Sequence, residues 1–122
     1  MSKQQVFETT KDTILACQDI ITEEVTCPEW GVTVTVTALS GEERSALIKA
    51  SMVKDGEVGS DELYWNAIIA CTLDTETGER LFTTDDLPKL KKKNGAALER
   101  IVERAFKLCG IGKAASEGLE KN

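Results

Sequence analysis

The six residues Val32–Thr37 alternate strictly between valine and threonine, a pattern that few structures other than a β-sheet can use. β-Branched side chains favour extended backbone, and a period of two puts every valine on one face and every threonine on the other. We therefore expect a β-strand with an inward valine face and a threonine face toward water or another strand. Because two strands alone are only marginally stable, helices must cover the valine face.

A second strand and a tight turn precede this alternation. Residues 25–27 alternate again, and Pro28, which has no N–H to donate to a ladder, ends that strand. Gly31 can adopt a positive φ at little cost, which lets the chain reverse. Residues 25–37 are therefore predicted to form a β-hairpin with a Pro-Glu-Trp-Gly corner.

The first long helix is predicted over residues 41–54. Ser40 and Glu43 have the spacing of a capping box at its start, and Asp55-Gly56 ends it. Residues 53–60 then read as a flexible loop. The apolar residues expected on one side of this helix are Leu47, Ile48 and Met52.

A second helix, over residues 61–73 with Ser60 as its cap, is apolar almost all round. Such a helix is either central to the core or leaves one face for a partner. Tyr64 and Trp65 point about 100° apart on a helix. We therefore expect one of the two in the core and the other near the surface.

Two further helices are predicted toward the C-terminus. A short one begins around Thr84, because Pro88 is tolerated only in a first turn. The last is amphipathic, starts at the cap Asn94 and ends at Gly110, a position where helices often need a left-handed residue. Near the N-terminus, residues 12–20 are expected to form one or two helical turns, anchored by the apolar side chains Ile14, Leu15, Ile20 and Ile21.

These elements define an α+β fold, mostly helical, in which a β-hairpin packs against about four helices. A length of 122 residues favours one domain. We assign residues 13–110 to that domain, residues 1–12 to a flexible N-terminus and residues 111–122 to a flexible C-terminal tail.

Composition argues against several functional classes. The net charge is −6, which disfavours binding to nucleic acid, and no apolar run is long enough to span a membrane. There is no histidine to shuttle protons, and the four cysteines do not have zinc-site spacing. Without a secretory signal, we expect a cytoplasmic protein with free thiols, Cys71 and Cys109 among its core residues. We expect no catalytic residue, no metal site and no cofactor.

The charge is unevenly distributed along the chain. Residues 1–88 carry 6 basic and 17 acidic side chains, a net −11, whereas residues 89–122 carry 9 basic and 4 acidic ones, a net +5. Opposite patches could stack copies head to tail or dock a partner, although surface charge for solubility explains them equally well.

Tryptophan and tyrosine are enriched at protein interfaces, and this chain has few of them. Trp30 lies in the turn of the hairpin, where it could either meet a partner or fold back over the core. The candidate partner-binding residues are Trp30, Tyr64, Trp65, Ile68, Lys91, Lys92 and Lys93, and the structural motif residues are Pro28, Gly31, Ser40, Glu43 and Gly110.

Three stretches together resemble the tail assembly chaperones of long-tailed (siphovirus-type) bacteriophages. They are ILACQDIITEEVTCPEWGVTVTVTALSGEER, TLDTETGERLFTTDDLPKL and GAALERIVERAFKLCGI, which cover roughly residues 14–111. The resemblance rests on the order of the motifs: the Pro-Glu-Trp-Gly corner, the alternating strand, the Leu-Ser-Gly-x-Glu-Arg helix start and the final amphipathic helix. Cys17, Cys27 and the Cys109-Gly110 ending depart from the usual pattern.

The resemblance implies a protein that binds the long, helical tape measure protein, keeps it soluble and is absent from the mature virion. It also implies self-association and, in a longer form made by ribosomal frameshifting, recruitment of tail tube protein. The codons of Glu120-Lys121-Asn122 permit, without showing, a slippery site. The alternatives are a small protein-binding adaptor or regulator and a minor structural tail protein.

Overall fold

The computed structural model describes residues 9–111, within which the hairpin and the helices are the main elements. Flexible segments were expected at residues 1–12 and 111–122; the parts at 1–8 and 112–122, including the codons considered for frameshifting, lie outside the described residues. The element bounds in chain order are α1 Thr10–Ala16, β1 Thr22–Cys27, β2 Val32–Thr37, α2 Gly41–Ala50, β3 Met52–Lys54, β4 Glu57–Val58, α3 Ser60–Cys71, β5 Thr72–Leu73, α4 Leu87–Leu90 and α5 Gly95–Cys109.

The predicted hairpin is confirmed and is longer than expected. Strand β1 pairs antiparallel with β2 in a register that joins Thr22 to Thr37 at one end and Cys27 to Val32 at the other. Gly31 has a φ of 69°, as the tight corner requires. The valine face is buried at Val34 and Val36, whereas Val32, next to the turn, is 47% exposed.

A third strand was not predicted. Residues Thr72–Leu73, which we expected to end the apolar helix, form β5 and pair with Thr35 and Val36, so the sheet order is β1-β2-β5. The threonine face of β2 takes part as well, since the hydroxyls of Thr35 and Thr75 lie 3.0 Å apart. The α+β class is confirmed, with a sheet of three strands where we expected a hairpin alone.

The helices cover the valine face in two steps. Helix α5 contacts both β1 and β2, α3 packs against α5, and α2 packs against α3. Fully buried side chains fill the core between the sheet and the helices. The largest of them are Val36, Leu63, Ile68, Ile101 and Ile111.

Helix α2 ends earlier than predicted, at Ala50. The reason is tertiary: Asn66 on α3 donates to the Ala50 carbonyl and to the Ser51 hydroxyl, at 3.3 and 3.1 Å, and so occupies groups at the helix end. The expected flexible loop is instead a small hairpin of β3 and β4, turned by Asp55 and Gly56 at φ of 50° and 78°. Met52, expected on the inner face of the helix, is 45% exposed.

Three of the four expected caps are confirmed. Ser40 and Glu43 form a reciprocal capping box, the Asn94 side chain accepts from the Ala97 N–H, and Gly110 ends α5 with a φ of 75°. Ser60 was wrong as a cap: it is the first residue of α3, whose cap is Gly59 with no side-chain hydrogen bond. A Cβ on Gly59 would meet the Val53 side chain at 2.8 Å, so the tight packing of β3 favours glycine here.

Both ends of the described chain differ from expectation in detail. Helix α1 begins at Thr10, inside the segment assigned to a flexible N-terminus, and the anchoring role of Ile14, Leu15, Ile20 and Ile21 was wrong, since all four are exposed. At the other end Ile111, assigned to the tail, is only 2% exposed and belongs to the core.

Candidate functional site

A long groove of about 940 Å³ lies between α3 and α5. We call it the aromatic groove. Its α5 wall follows residues spaced three and four apart, which is the stripe that one face of a helix presents. The lining residues from α5 are Gly95, Leu98, Glu99, Val102, Glu103, Phe106 and Lys107, and those from elsewhere are Ser60, Asp61, Tyr64, Trp65, Lys91, Lys93 and Ile111.

Tyr64 and Trp65 both line this groove, which corrects the expectation that one of them would be buried and the other exposed. Both are half-buried, and their rings meet edge to face, with centroids 5.0 Å apart and planes inclined by 72°. The Lys91 ammonium lies 5.5 Å from the centre of the Trp65 ring, a cation–π distance. The two rings therefore form one aromatic wall, and the Lys91 ammonium places a positive charge beside Trp65.

The hydroxyl of Tyr64 is set in an environment that disfavours its ionisation. Burial, and secondarily the negative charge of Glu99 across the groove, raise the pKa of Tyr64 to about 12. Tyr64 therefore stays a neutral hydrogen-bond donor over the physiological pH range.

A second depression, of about 640 Å³, lies beside the hairpin corner and is called here the corner groove. Trp30 from the turn forms one wall, so the structure combines both readings of this residue: it packs partly against the core and also faces a groove. Lys93 lines both grooves and separates them. The residues lining the corner groove are Trp30, Leu81, Phe82, Asp86, Lys89, Leu90 and Lys93.

Two of the predicted partner-binding residues do not line either groove. Ile68 is completely buried, because the face of α3 that carries it points into the core, so its side chain is not available to a partner. Lys92 is exposed but lies outside both depressions. The remaining five predicted residues, Trp30, Tyr64, Trp65, Lys91 and Lys93, are brought together along one continuous surface.

Sequence reasoning missed the contribution of α5. Leu98, Val102 and Phe106 were not among the predicted partner-binding residues, yet they form the apolar side of the aromatic groove. Their spacing predicts an amphipathic helix correctly. It does not reveal which of these side chains border the groove: Leu98 and Val102 are each only 2% exposed and lie at its floor, and Phe106 is half-buried.

Two arginines of α5 hold the hairpin in place. Arg100 donates through both terminal nitrogens to Glu29 in the corner, at 2.9 and 2.8 Å, and Arg104 pairs with Glu23 on β1 at 2.9 Å. The chain therefore uses these two basic groups within its own fold. The basic character of the C-terminal segment that remains at the grooves comes from lysines.

The thiols are placed as core residues, apart from Cys17. The sulfurs of Cys71 and Cys109 lie 3.8 Å apart in the interior, and this contact raises the pKa of Cys71 while it lowers that of Cys109. Burial raises the pKa of the Cys27 thiol.

Within residues 9–111, no group of three or more potential ligands is placed to hold a metal ion. Nor does any helix in that range have the length and apolarity to cross a bilayer.

Comparison with known proteins bears on the fold and on the family of the chain. A solved structure, that of the bacteriophage HK97 tail assembly chaperone, matches the fold with a TM-score of 0.51 and 20% sequence identity, over 82% of this chain and 98% of that one. No curated protein matches the chain in sequence. A family model described as phage tail assembly chaperone matches residues 9–121. The chain therefore belongs to the phage tail assembly chaperone family.

Proposed function

We propose that this chaperone binds the tape measure protein through the aromatic groove, keeps it soluble in the bacterial cytoplasm and is absent from the mature virion. The observation that supports this proposal is the groove itself. From Gly95 to Phe106 it follows α5 for roughly three turns, about 16 Å at 1.5 Å per residue. That length suits an amphipathic client helix with anchors at i, i+4 and i+7.

The charges around the groove favour binding that is broad in sequence and reversible. Three acidic and three basic side chains line it, so client helices with either sign of charge on their flanks find partners. Exposed ion pairs each contribute little, about 0–1 kcal/mol. A single contact is therefore weak, and the strength of binding must come from many copies on one long client, which tail tube subunits can displace one by one.

The tail tube protein is the second proposed partner. A longer form of the chain, extended by ribosomal frameshifting, would carry an additional segment that recruits tube subunits to the coated tape measure. The short form then supplies coverage, and the long form supplies recruitment. Expression of the gene with the tape measure gene, followed by mass spectrometry of the soluble complex, tests for a product longer than 122 residues.

A steric block tests the groove directly. Glu99 is exposed and lines the groove, whereas Ala96, one turn earlier on the same helix, is exposed and lines neither groove. We expect Glu99→Trp to fill the groove without removing a core contact, and Ala96→Trp to serve as the matched control. Co-expressed with the tape measure protein, wild type and Ala96→Trp should keep it in the soluble fraction, and Glu99→Trp should not.

Two results would contradict the proposal. One is a folded Glu99→Trp variant, checked by circular dichroism, that keeps the tape measure protein as soluble as wild type does. The other is the presence of the chain in purified phage particles by mass spectrometry, which would favour a structural tail component.

A further inference from the structure

Two thiols that line neither groove lie against each other in the interior. The sulfurs of Cys71 and Cys109 are 3.8 Å apart, although 38 positions separate the two residues in the chain. Neither cysteine belongs to a disulfide. Cys71 is fully buried, whereas Cys109 is 9% exposed, so a small reagent reaches Cys109 first.

Both thiols lie where a helix ends. Cys71 is the last residue of α3, and Cys109 is the last residue of α5, followed by Gly110 in a left-handed conformation. The sulfurs of a disulfide are about 2.05 Å apart, so these two must approach each other by about 1.8 Å. Helix ends fray, and rotation about the Cα–Cβ bond of either cysteine supplies a movement of that size. The middle of each helix can therefore stay in place while the bond forms.

The surroundings of the two thiols make Cys109 the more reactive one. Hydrogen bonding from Cys71 is the main cause that lowers the pKa of Cys109 against the opposing effect of burial, and the Leu39 backbone and the charge of Arg44 act in the same direction. Arg44 is held at this place because its Nε donates to the Cys109 carbonyl at 3.0 Å. The same thiol contact raises the pKa of Cys71. Since the thiolate is the nucleophile, Cys109 is the thiol that attacks an oxidant.

We propose that Cys71 and Cys109 form a reversible disulfide when the protein meets a peroxide, and that this bond ties together the ends of the two helices that wall the aromatic groove. In the first step the Cys109 thiolate attacks hydrogen peroxide and the O–O bond breaks. Cys109 becomes a sulfenic acid, and the hydroxide that leaves takes up the proton released by the thiol.

The second step forms the bond between the helices. The Cys71 sulfur attacks the sulfenic sulfur of Cys109, the S–O bond breaks, and the hydroxyl leaves as water with the Cys71 proton. Overall the two thiols lose two electrons and two protons, and one hydrogen peroxide is reduced to two waters.

The disulfide is a switch and not a permanent support, because disulfides that form in a reducing compartment are usually transient. Closing a loop of 38 residues restricts the unfolded chain, so the oxidised form is the more stable one. It also prevents α3 and α5 from separating at this end of the groove. The inference does not rest on what the groove binds, since neither cysteine lines it.

Peptide mapping of the full chain tests the proposal. Cys17→Ser removes the exposed thiol, which could otherwise join two molecules. Cys27 remains as an internal control, since it is as buried as Cys71, at 0%. After treatment with hydrogen peroxide, the protein is unfolded, its free thiols are alkylated without reduction, and trypsin is added. Trypsin cuts after lysine and arginine, so residues 12–44 hold Cys27, residues 55–80 hold Cys71 and residues 108–113 hold Cys109.

We expect the peptides 55–80 and 108–113 to be joined by a disulfide and the peptide 12–44 to carry an alkylated Cys27. The intact oxidised chain should weigh less by two hydrogen atoms, and dithiothreitol should restore its mass. Its melting temperature should exceed that of the reduced chain by at least about 5 °C, because the cross-link restricts the unfolded chain. In Cys71→Ala, peroxide should not raise the melting temperature.

The order of the two steps has its own test. In Cys71→Ala the second step is blocked, so dimedone, which reacts with sulfenic acids, should label Cys109. In Cys109→Ala, dimedone should leave Cys71 unlabelled. Labelling of Cys71 would contradict the assignment of Cys109 as the attacking thiol.

Three results of the mapping would overturn the proposal. Alkylation of both Cys71 and Cys109 after peroxide treatment would show that the pair is inert core packing. A disulfide from Cys27 to either of them would show that the sulfur contact does not direct the reaction. Sulfinic or sulfonic acid on Cys109 with an alkylated Cys71 would show that the second step does not occur in the fold. None of these measurements uses the tape measure protein, so this inference and the proposed function fail separately.

Discussion

Arg100 and Glu29 are joined by two parallel hydrogen bonds, from Nη1 to Oε1 at 2.9 Å and from Nη2 to Oε2 at 2.8 Å. The pair connects the middle of α5 to the hairpin corner, two places 71 residues apart in the chain. Side-chain hydrogen bonding from Arg100 is the main cause that lowers the pKa of Glu29 from 4.5 to about 2. The orientation of the corner, and with it that of Trp30, therefore depends on a charged contact.

This pair predicts a specific pH dependence of stability. A carboxylate whose pKa is lower in the folded state stabilises the fold above its unfolded pKa and loses that effect as the pH falls. The free energy of unfolding of wild type should therefore exceed that of Glu29→Gln at neutral pH, and the difference should shrink between pH 4.5 and about 2. Urea denaturation at several pH values measures it. Glu24→Gln is the control, since Glu24 makes no ion pair within the described residues.

Ile68 separates a core role from a binding role. It is fully buried, so Ile68→Ala should leave a cavity and lower the free energy of unfolding by about 2–5 kcal/mol. Ile14→Ala, at a site 64% exposed, should change the stability of the monomer by less than about 0.5 kcal/mol. Chemical denaturation at low protein concentration gives both values. Equal effects of the two substitutions would show that α3 is not oriented as described.

Gly110 and Gly95 form a matched pair for backbone conformation. Neither would bring a new Cβ within 4 Å of another atom, but only Gly110 has a positive φ, of 75°. Gly110→Ala should therefore lower stability by about 1–2 kcal/mol through backbone strain alone. Gly95→Ala, in the first turn of α5, should be neutral or should raise stability by about 0.4–1 kcal/mol. Thermal denaturation followed by circular dichroism tests the difference in sign.

Two serines distinguish a helix cap from a residue that only resembles one. The Ser40 hydroxyl accepts from the Glu43 N–H at 3.1 Å, whereas Ser60 makes no cap hydrogen bond to α3. We expect Ser40→Ala to lower the free energy of unfolding by about 0.5–2 kcal/mol and Ser60→Ala to leave it nearly unchanged. A loss of stability in Ser60→Ala as large as that in Ser40→Ala would contradict the assignment of Gly59 as the cap.

Tyr64 reports on the aromatic groove, because it is the single tyrosine of the chain. Its phenolate absorbance should appear with a midpoint near pH 12, and fold stability should decrease from the ordinary tyrosine pKa of 10 up to that value, since the unfolded state loses the proton first. Glu99→Gln should move the midpoint toward 10 by removing a negative neighbour, while Glu76→Gln, outside the groove, should not. A wild-type midpoint at 10 would mean that the ring is open to water.

The hairpin and the helix ends were predicted correctly from short stretches of sequence. The alternation of Val32–Thr37 and the Pro-Glu-Trp-Gly corner predicted the hairpin, because period and turn chemistry act over a few residues. The same holds for the capping box at Ser40 and for the end of α5 at Gly110. The two caps join groups within about four positions of one another, and the paired strands of the hairpin are neighbours in the chain, so a short stretch of sequence contains each interaction.

The elements that were mispredicted depend on distant partners. Helix α2 stops at Ala50 because Asn66, on another helix, binds its end, and β5 exists because Thr72 meets Val36 across the sheet. Among the candidate binding residues, Trp30, Tyr64 and Trp65 reached the grooves while Ile68 did not. The composition of α3 could not distinguish them, since its apolar residues surround the helix.

The sequence by itself determined the hairpin, the helix caps and the amphipathic character of α5, since propensity and periodicity act along the chain. Only the tertiary structure decided which apolar residues are covered. That choice depends on how α3 packs against α5 and how Arg100 reaches Glu29, and these contacts join residues dozens of positions apart. The grooves are what this packing leaves open, and no stretch of sequence contains both of their walls.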